Sequence, residues 1–263
     1  MTTINTVITV IGPTAVGKTS LGVQLGRAFH TEVISIDSLQ CYKPGSIVTA
    51  KPTPEETKGV PHHMIDFLEA DEEPDSFTED TLACIAKMQR KGRVPILVGG
   101  STSLTIPVLK AARSQGNRIF AILLGSPPSI HKHNIEARVD EMVYSGLVDE
   151  MTQLYELQRS LLGPIPDFSK GVWKTIGYKE FYPYLSGENK GCAKALESAI
   201  VNTKRNSVCY AQLQWDWIQT EMCPFLEDMQ IPYIELQATS KQDITVAGMA
   251  SVRGYLRFLH QRQ

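Results

Sequence analysis

The sequence predicts an α/β protein, with a parallel β-sheet flanked by helices and a small helical lobe. Short apolar runs alternate with longer stretches in which apolar residues recur at helical spacing, a pattern typical of βαβ units. The composition is that of a globular chain, because 42% of the residues are hydrophobic and 21% are charged. We expect one domain over residues 1–263, with the helical lobe at roughly 125–220, since this length suits a single core.

The predicted strands are the short apolar runs, most of them rich in Val and Ile. They lie at residues 6–11, 32–36, 94–98, 119–124 and 233–236. The region 43–61 is punctuated by Gly and Pro and is expected to be a loop.

The predicted helices follow the strands in turn. They cover residues 18–29, 76–91, 129–162 with a break near Gly146, 172–185, 193–218 and about 243–259. Ser76 is expected to cap the second helix, because Glu79 stands three residues later and completes a capping-box pattern.

Charge and cysteine usage limit the partners and the compartment. The net charge is -2. Proteins that bind a long stretch of nucleic-acid backbone usually carry a basic face, so a large contact of this kind is less expected here. The five cysteines are scattered without a C-x-x-C pair, which favours free thiols in a reducing compartment. No signal peptide is recognised, and no apolar run approaches the roughly 20 residues of a membrane span. We expect a cytoplasmic protein without a membrane partner.

Residues 12–19 fit the phosphate-binding pattern G-x-x-x-x-G-K-[ST] between a predicted strand and a predicted helix. The sheet is therefore expected to be P-loop NTPase-like. Backbone N–H groups of such a loop and the positive end of the helix dipole face the same anion. Lys18 adds a charge, and Thr19 can offer its hydroxyl to Mg²⁺. The residues expected to form this phosphate site are Gly12, Thr14, Ala15, Gly17, Lys18, Thr19 and Ser20.

An ordinary nucleotide hydrolase also needs an acidic residue at the end of a second strand, to position Mg²⁺ and water. The run at 94–98 ends instead on Gly99 and Gly100. Asp37 does follow a predicted strand, where α/β sheets place ligand-binding groups. A single acid at that position could serve a metal or a proton.

Further motifs carry a family resemblance over residues 6 to about 218. They are Asp37-Ser38-Leu39-Gln40-Cys41-Tyr42, residues 50–53 with Glu55-Glu56, residues 59–63, residues 98–103, Ala137-Arg138-Val139 and Gly177-Tyr178. In this order they resemble the isopentenyltransferase family, which comprises tRNA dimethylallyltransferases and the adenylate isopentenyltransferases that make cytokinins. The chain is thus expected to be one P-loop isopentenyltransferase domain.

The resemblance implies the substrates and the roles of the site residues. The phosphate loop would hold dimethylallyl diphosphate, and Asp37 would be the general base for N6 of an adenine nucleotide. Lys18, Arg138, Thr14 and Mg²⁺ on Thr19 would stabilise the departing diphosphate. The further residues expected to bind substrate are Ser38, Gln40, Lys51, Ser101, Lys174 and Tyr210.

Simpler interpretations remain open for several of these residues. Asp37 could cap a turn or bind Mg²⁺ without moving a proton, and Arg138 could pair with an acid of its own helix. Lys51 and Lys174 could be solvated surface lysines. His62 and His63 are more simply one packed and one exposed histidine than a metal or acid–base pair.

The acceptor is expected to be free AMP, ADP or ATP. Members that modify tRNA carry a long helical insertion after the glycine pair, whereas here only residues 111–118 separate Lys110 from the next strand. The chain also has Gln212 and Leu213 where the family usually has Lys-Arg, although Asp66-Phe67 resembles the tRNA branch. The alternatives are a tRNA dimethylallyltransferase, a P-loop small-molecule kinase and a catalytically silent nucleotide-binding protein.

Overall fold

The computed structural model describes residues 5–187, 190–239 and 241–261. Within these residues, six strands form one parallel sheet in the order β3-β2-β4-β1-β5-β6. The strands are β1 (Thr6–Ile11), β2 (Val33–Ile36), β3 (His62–His63), β4 (Ile96–Gly99), β5 (Arg118–Gly125) and β6 (Tyr233–Gln237). The predicted parallel α/β sheet is therefore confirmed. The pair β3 was not predicted as a strand, because two residues leave no apolar run to detect.

Helices connect the strands and cover both faces of the sheet. They are α1 (Lys18–Ala28), α2 (Pro54–Thr57), α3 (Phe77–Arg90), α4 (Thr105–Ser114), α5 (Pro128–Tyr144), α6 (Leu147–Leu162), α7 (Tyr178–Leu185), α8 (Ala193–Trp217), α9 (Cys223–Asp228) and α10 (Lys241–His260). A 3₁₀ turn, Gly171–Lys174, precedes α7, and a π-helical turn, Ile218–Met222, continues α8. No helix among the described residues is long and apolar enough to cross a membrane.

The core lies on both sides of the central strands. Alternate residues of β1 point to opposite faces, so Val7 and Ile11 join the larger apolar cluster while Ile8 and Val10 join the smaller one. Helices α1 and α10 pack together over the smaller cluster. Every residue of β1 is buried, which is typical of a central parallel strand covered on both faces.

Helices α5 to α8 lie within the region predicted as a helical lobe, and α8 packs on both α5 and α7. Gly146, with φ of 104°, separates α5 from α6 at the predicted break. A left-handed backbone at this position suits glycine, because it has no Cβ to clash. The assignment of the whole chain to one domain stays a prediction.

Ser76 occupies the N-cap position of α3, as predicted, but the predicted capping-box hydrogen bonds do not form. The Ser76 hydroxyl donates to Asp80 Oδ2 at 2.7 Å and makes no bond to the helix backbone. A capping box instead starts α2, inside the region predicted as a loop. There Glu56 N donates to Thr53 Oγ1 at 3.3 Å, and Thr53 N donates to the Glu56 carboxylate at 2.9 Å. A side-chain bond from the N-cap residue to the helix backbone needs an extended backbone at that residue, whereas Ser76 has φ of -92° and ψ of 10°.

Candidate active site

A cavity of about 700 Å³ opens where β1, β2 and β4 end. The loops that follow these strands form one wall, and α5 and α8 of the helical lobe face them. Parallel α/β sheets place ligand sites at the carboxyl ends of their strands, where loop backbone and helix N-termini converge. The predicted site residues that line the cavity are Thr14, Ala15, Lys18, Thr19, Asp37, Ser38, Gln40, Ser101, Arg138, Lys174 and Tyr210.

The phosphate loop has the backbone geometry of an anion cradle. Ala15 has φ of 58° and Gly17 has φ of 96°, so two left-handed residues stand just before α1. Such turns point successive N–H groups into one concavity. Gly12 does not line the cavity but lets the loop pack closely, because a Cβ there would lie 2.6 Å from the Leu124 carbonyl oxygen. Gly12 and Gly17 therefore shape the loop, while Thr14 and Ala15 line the cavity.

Lys18 lies at the first position of α1 with its ammonium turned back to the loop. The Nζ atom donates to the carbonyl oxygen of Pro13 at 2.7 Å. Burial lowers the pKa of Lys18 to about 8, with Asp37 acting in the opposite direction and Arg138 lowering it further. An anion bound in the loop would therefore offset the free-energy cost of burying the charged Lys18 ammonium.

Arg138 reaches across the cavity from α5 to the phosphate loop. Its NH1 donates to the Thr14 hydroxyl at 3.5 Å, so the side chain reaches the phosphate loop. Burial lowers the pKa of Arg138, and the carboxylates of Glu56, Asp37 and, on its own helix, Glu141 oppose that shift. The structure brings Arg138, Lys18 and Thr14 together, as expected for a diphosphate site.

Asp37 follows β2 directly and takes part in a turn. Its Oδ1 accepts the N–H of Leu39 at 2.9 Å and that of Gln40 at 3.4 Å. Oδ1 thus caps the turn, as the simpler interpretation of Asp37 expects. Oδ2 makes no hydrogen bond among the described residues, and Asp37 lines the cavity. One carboxylate can therefore fix its own position and still offer an oxygen to a ligand.

Gln40 and Ser101 line the cavity, but protein groups already occupy their polar atoms. Gln40 Nε2 donates to the carbonyl oxygen of Ala50 at 3.1 Å, and its Oε1 accepts from Ser35 Oγ at 2.9 Å. Ser101 Oγ accepts the N–H of Leu104 at 3.3 Å. Both side chains stabilise the loops that shape the cavity.

Lys51 and Ser20 do not line the cavity, contrary to expectation. The side chain of Lys51 is only 5% exposed, and its ammonium pairs with Asp66 and donates to the carbonyl oxygen of Lys43 at 2.9 Å. These acceptors hold the ammonium on the loop after β2, so it cannot also face the substrate. Lys174 does line the cavity, where it pairs with Glu73 at 2.8 Å.

The sequence did not reveal an apolar stripe on α5. Ile135, Val139 and Met142 form this stripe and line the cavity, while His131 and Arg138 at the same helical spacing reach the phosphate loop. The spacing was present in the sequence, but polar neighbours dilute it and nothing marks which face meets a substrate. Gln214, on α8, was also missed as a site residue; its side chain bonds to both Thr14 and Gly100.

The departure at Gln212 and Leu213 lies outside the cavity lining. Gln212 Nε2 donates to Asp216 Oδ1 at 2.8 Å on the exposed side of α8, and Leu213 is 64% exposed. Their neighbours Tyr210 and Gln214 line the cavity. Gln212 and Leu213 therefore contribute no side chain to the lining of the cavity.

The two histidines of β3 make protein contacts. His63 Nε2 is 2.6 Å from the Glu32 carboxylate, and His62 Nδ1 is 2.8 Å from the carbonyl oxygen of Val60. Among the described residues, no cluster of three or more His, Cys, Asp or Glu side chains could hold a metal.

The parallel sheet and the glycine-rich loop between β1 and α1 define a P-loop fold. The profile of the IPP transferase family matches residues 40–114 and 105–221. The chain therefore belongs to the IPP transferase family, whose members are prenyltransferases.

Known proteins of similar sequence include a cytokinin biosynthesis protein, an adenylate isopentenyltransferase and tRNA dimethylallyltransferases. Over 90% of its length the chain is 46% identical to a bifunctional cytokinin biosynthesis protein of Fusarium pseudograminearum, and it spans 49% of that relative. It is 32% identical to adenylate isopentenyltransferase 5 of Arabidopsis thaliana, covering 81% of this chain and 66% of the relative. It is also 32% identical to a tRNA dimethylallyltransferase of Lactococcus lactis, covering 86% of this chain and 93% of the relative.

Solved structures show the same fold. A eukaryotic dimethylallyltransferase acting on tRNA superposes with a TM-score of 0.79 at 25% identity, over 98% of this chain and 80% of the other. A tRNA isopentenylpyrophosphate transferase of Bacillus halodurans gives a TM-score of 0.74, also at 25% identity, over 98% of each chain.

Proposed function

We propose that the protein transfers the dimethylallyl group of dimethylallyl diphosphate to N6 of AMP, ADP or ATP and releases diphosphate. The observation that carries this proposal is the composition of one cavity. A phosphate loop, the carboxylate of Asp37 and the apolar stripe of α5 meet around a volume of about 700 Å³. A small cleft with one apolar wall and a few polar groups suits a prenyl diphosphate beside a mononucleotide.

The donor binds with its two ends on different walls. Loop N–H groups and the Lys18 ammonium hold the diphosphate, because both present positive charge to the same concavity. The apolar tail lies against Ile135, Val139 and Met142 of α5. This arrangement leaves the reactive carbon between the loop and Asp37.

Mg²⁺ fits the oxygen donors of this cavity. Magnesium is usually held by one or two protein oxygens together with substrate phosphates, and the Thr19 hydroxyl lines the cavity one residue after Lys18. When bound, the ion would supply positive charge to the diphosphate. Thr19 would hold it, as the phosphate-loop pattern implies.

The chemical step is a substitution at the first carbon of the prenyl group. Asp37 accepts the proton of the N6 amine as the new C–N bond forms and the C–O bond to diphosphate breaks. The electron pair of that bond goes to the leaving oxygen. Lys18, Arg138 and the Thr14 hydroxyl stabilise the charge that develops there, which lowers the barrier more than it aids ground-state binding.

The choice of a free nucleotide rests on the connection after α4. That helix ends at Ser114 and β5 begins at Arg118, so Gln115, Gly116 and Asn117 alone join them. A turn of this size offers no surface for an anticodon arm. The similarity to the cytokinin biosynthesis protein and to the plant adenylate isopentenyltransferase supports the same acceptor. We also propose a cytoplasmic location, since all five cysteines are free thiols.

A tRNA acceptor is the second candidate, favoured by the tRNA dimethylallyltransferases among the relatives. In the deciding experiment, the protein is incubated with dimethylallyl diphosphate and one acceptor at a time: AMP, ADP, ATP or unmodified tRNA. The mass of each acceptor is then measured by mass spectrometry. We expect a gain of one dimethylallyl group on the free nucleotides. A gain on tRNA alone would replace the adenylate assignment. Consumption of ATP without a prenyl adduct would point to a kinase instead.

A further inference from the structure

The helical lobe contacts Thr14 of the phosphate loop at three separate atoms. His131 Nε2 lies 2.8 Å from the Thr14 carbonyl oxygen, and Gln214 Oε1 accepts the Thr14 N–H at 2.8 Å. Arg138 reaches the hydroxyl at 3.5 Å. Thr14 therefore has both ends of its backbone and its side chain engaged by helices that are remote in sequence.

The contact of His131 has a defined direction. A carbonyl oxygen can only accept, so the imidazole carries its proton on Nε2 and donates. His131 stands in the first turns of α5, seven residues before Arg138, and seven residues make two helical turns. One face of α5 thus reaches the Thr14 carbonyl and hydroxyl together.

Gln214 ties the loop to a second strand end. Its Nε2 donates to the carbonyl oxygen of Gly100 at 2.9 Å while its Oε1 accepts from Thr14, and its side chain is buried. The two loops approach closely here, because a Cβ on Gly100 would lie 2.2 Å from the Gly12 carbonyl oxygen. The side-chain amide of Gln214 thus links the loops after β1 and β4 by one hydrogen bond to each.

We propose that His131 and Gln214 are positioning residues that fix the backbone on both sides of Thr14, so that its hydroxyl points to the leaving oxygen of the diphosphate. Gln214 accepts the Thr14 N–H and His131 donates to the Thr14 carbonyl oxygen, so the two peptide planes on either side of the Thr14 Cα are held in place. The hydroxyl is then the group that Thr14 offers to a ligand. Catalytic donors act only when held close to the productive geometry, and small displacements are costly. This inference rests on the proposed prenyl transfer.

The test compares His131→Ala, His131→Gln and the control His133→Ala, which changes an exposed residue of the same helix. His131→Ala is expected to lower kcat about 3- to 10-fold, the size of one lost hydrogen bond, with the donor KM largely unchanged. His131→Gln is expected to recover most of this loss, because its amide can donate from a similar position. His133→Ala is expected to behave as wild type. Thermal unfolding of each variant separates altered positioning from loss of fold.

A double-mutant cycle tests whether both residues act through Thr14. The loss in His131→Ala/Gln214→Ala is expected to differ from the sum of the single losses, because residues that share one partner couple. Unchanged kcat in His131→Ala, equal losses in the Ala and Gln variants, or strict additivity would overturn the positioning role. Wild-type protein that prenylates no acceptor and fails to bind inorganic pyrophosphate would overturn the proposed function itself.

Discussion

Some side chains at the cavity both stabilise the local backbone and line the cavity. Asp37 uses one oxygen to close the turn after β2, and its other oxygen makes no hydrogen bond among the described residues. Lys18 donates to the Pro13 carbonyl oxygen of its own loop and also lines the cavity. Because local structure and chemistry share these residues, a variant has to be judged by binding and turnover separately.

Asp37→Asn should retain donor binding and lower kcat by about 10²-fold or more, because the amide cannot accept the N6 proton. The turn should survive, since the amide oxygen can still accept the N–H groups of Leu39 and Gln40. Single-turnover kinetics with AMP, together with pyrophosphate binding by calorimetry, measure the two effects. A kcat close to that of wild type would remove Asp37 from proton transfer.

Lys18 gives a pH dependence with a definite sign. Its pKa in the free protein is lowered to about 8, so the ammonium is charged below that pH and is lost as the pH rises through it. Pyrophosphate affinity is therefore expected to fall above about pH 8, and binding there should take up a proton. Calorimetry in buffers of different ionisation enthalpy measures this uptake.

The control is Lys18→Gln, which should bind pyrophosphate weakly at every pH. The same uptake in that variant would exclude Lys18 as its source.

At the scale of an element, α5 combines two kinds of contact on one face. Arg138 addresses the phosphate loop, while Ile135, Val139 and Met142 form the apolar wall. Residues spaced by three or four positions share a helix face, so the guanidinium of Arg138 and the apolar wall lie on the same side of one helix. In the proposed function, α5 therefore contacts both the diphosphate and the prenyl group of the donor.

Val139→Ala should weaken dimethylallyl diphosphate binding by about 10-fold, from the loss of two buried methyl groups. Val139 is 3% exposed and lines the cavity. Pyrophosphate lacks the apolar tail, so its affinity should stay unchanged. Val201→Ala, which removes the same atoms from a side chain 57% exposed on α8, is the matched control. Equal weakening of both ligands would show that the prenyl group lies elsewhere.

At the scale of the whole molecule, charge and shape favour a small acceptor. The net charge is -2, and a three-residue turn joins α4 to β5. A large RNA footprint depends on neutralising several phosphates with Lys or Arg, and its affinity falls steeply with salt. A mononucleotide needs only a cleft and a few cations.

In competition at low salt, with AMP and unmodified tRNA at equal concentration, radiolabelled prenyl groups should appear mainly in AMP. Low salt is the condition most favourable to RNA, so the test is weighted against the expectation. Raising the salt should leave this preference intact. Label that appears mainly in tRNA at low salt and declines as salt rises would identify RNA as the acceptor.

The sequence by itself determined the parallel sheet, the phosphate loop and the family, because these depend on local periodicity and contiguous motifs. The strands at 6–11 and 119–124 and the break at Gly146 were predicted from such patterns. The capping box of α3 was also predicted from such a pattern but does not form, since Ser76 lacks the extended backbone that the bond needs.

Only the tertiary structure decided which side chains face the cavity. It placed Lys51 on Asp66, turned Gln212 and Leu213 outward, and brought His131 and Gln214 onto Thr14 across 117 and 200 residues of sequence. A motif specifies residue type and spacing along the chain. The direction of a side chain depends on how helices pack against the sheet, and that packing is fixed by contacts between distant segments.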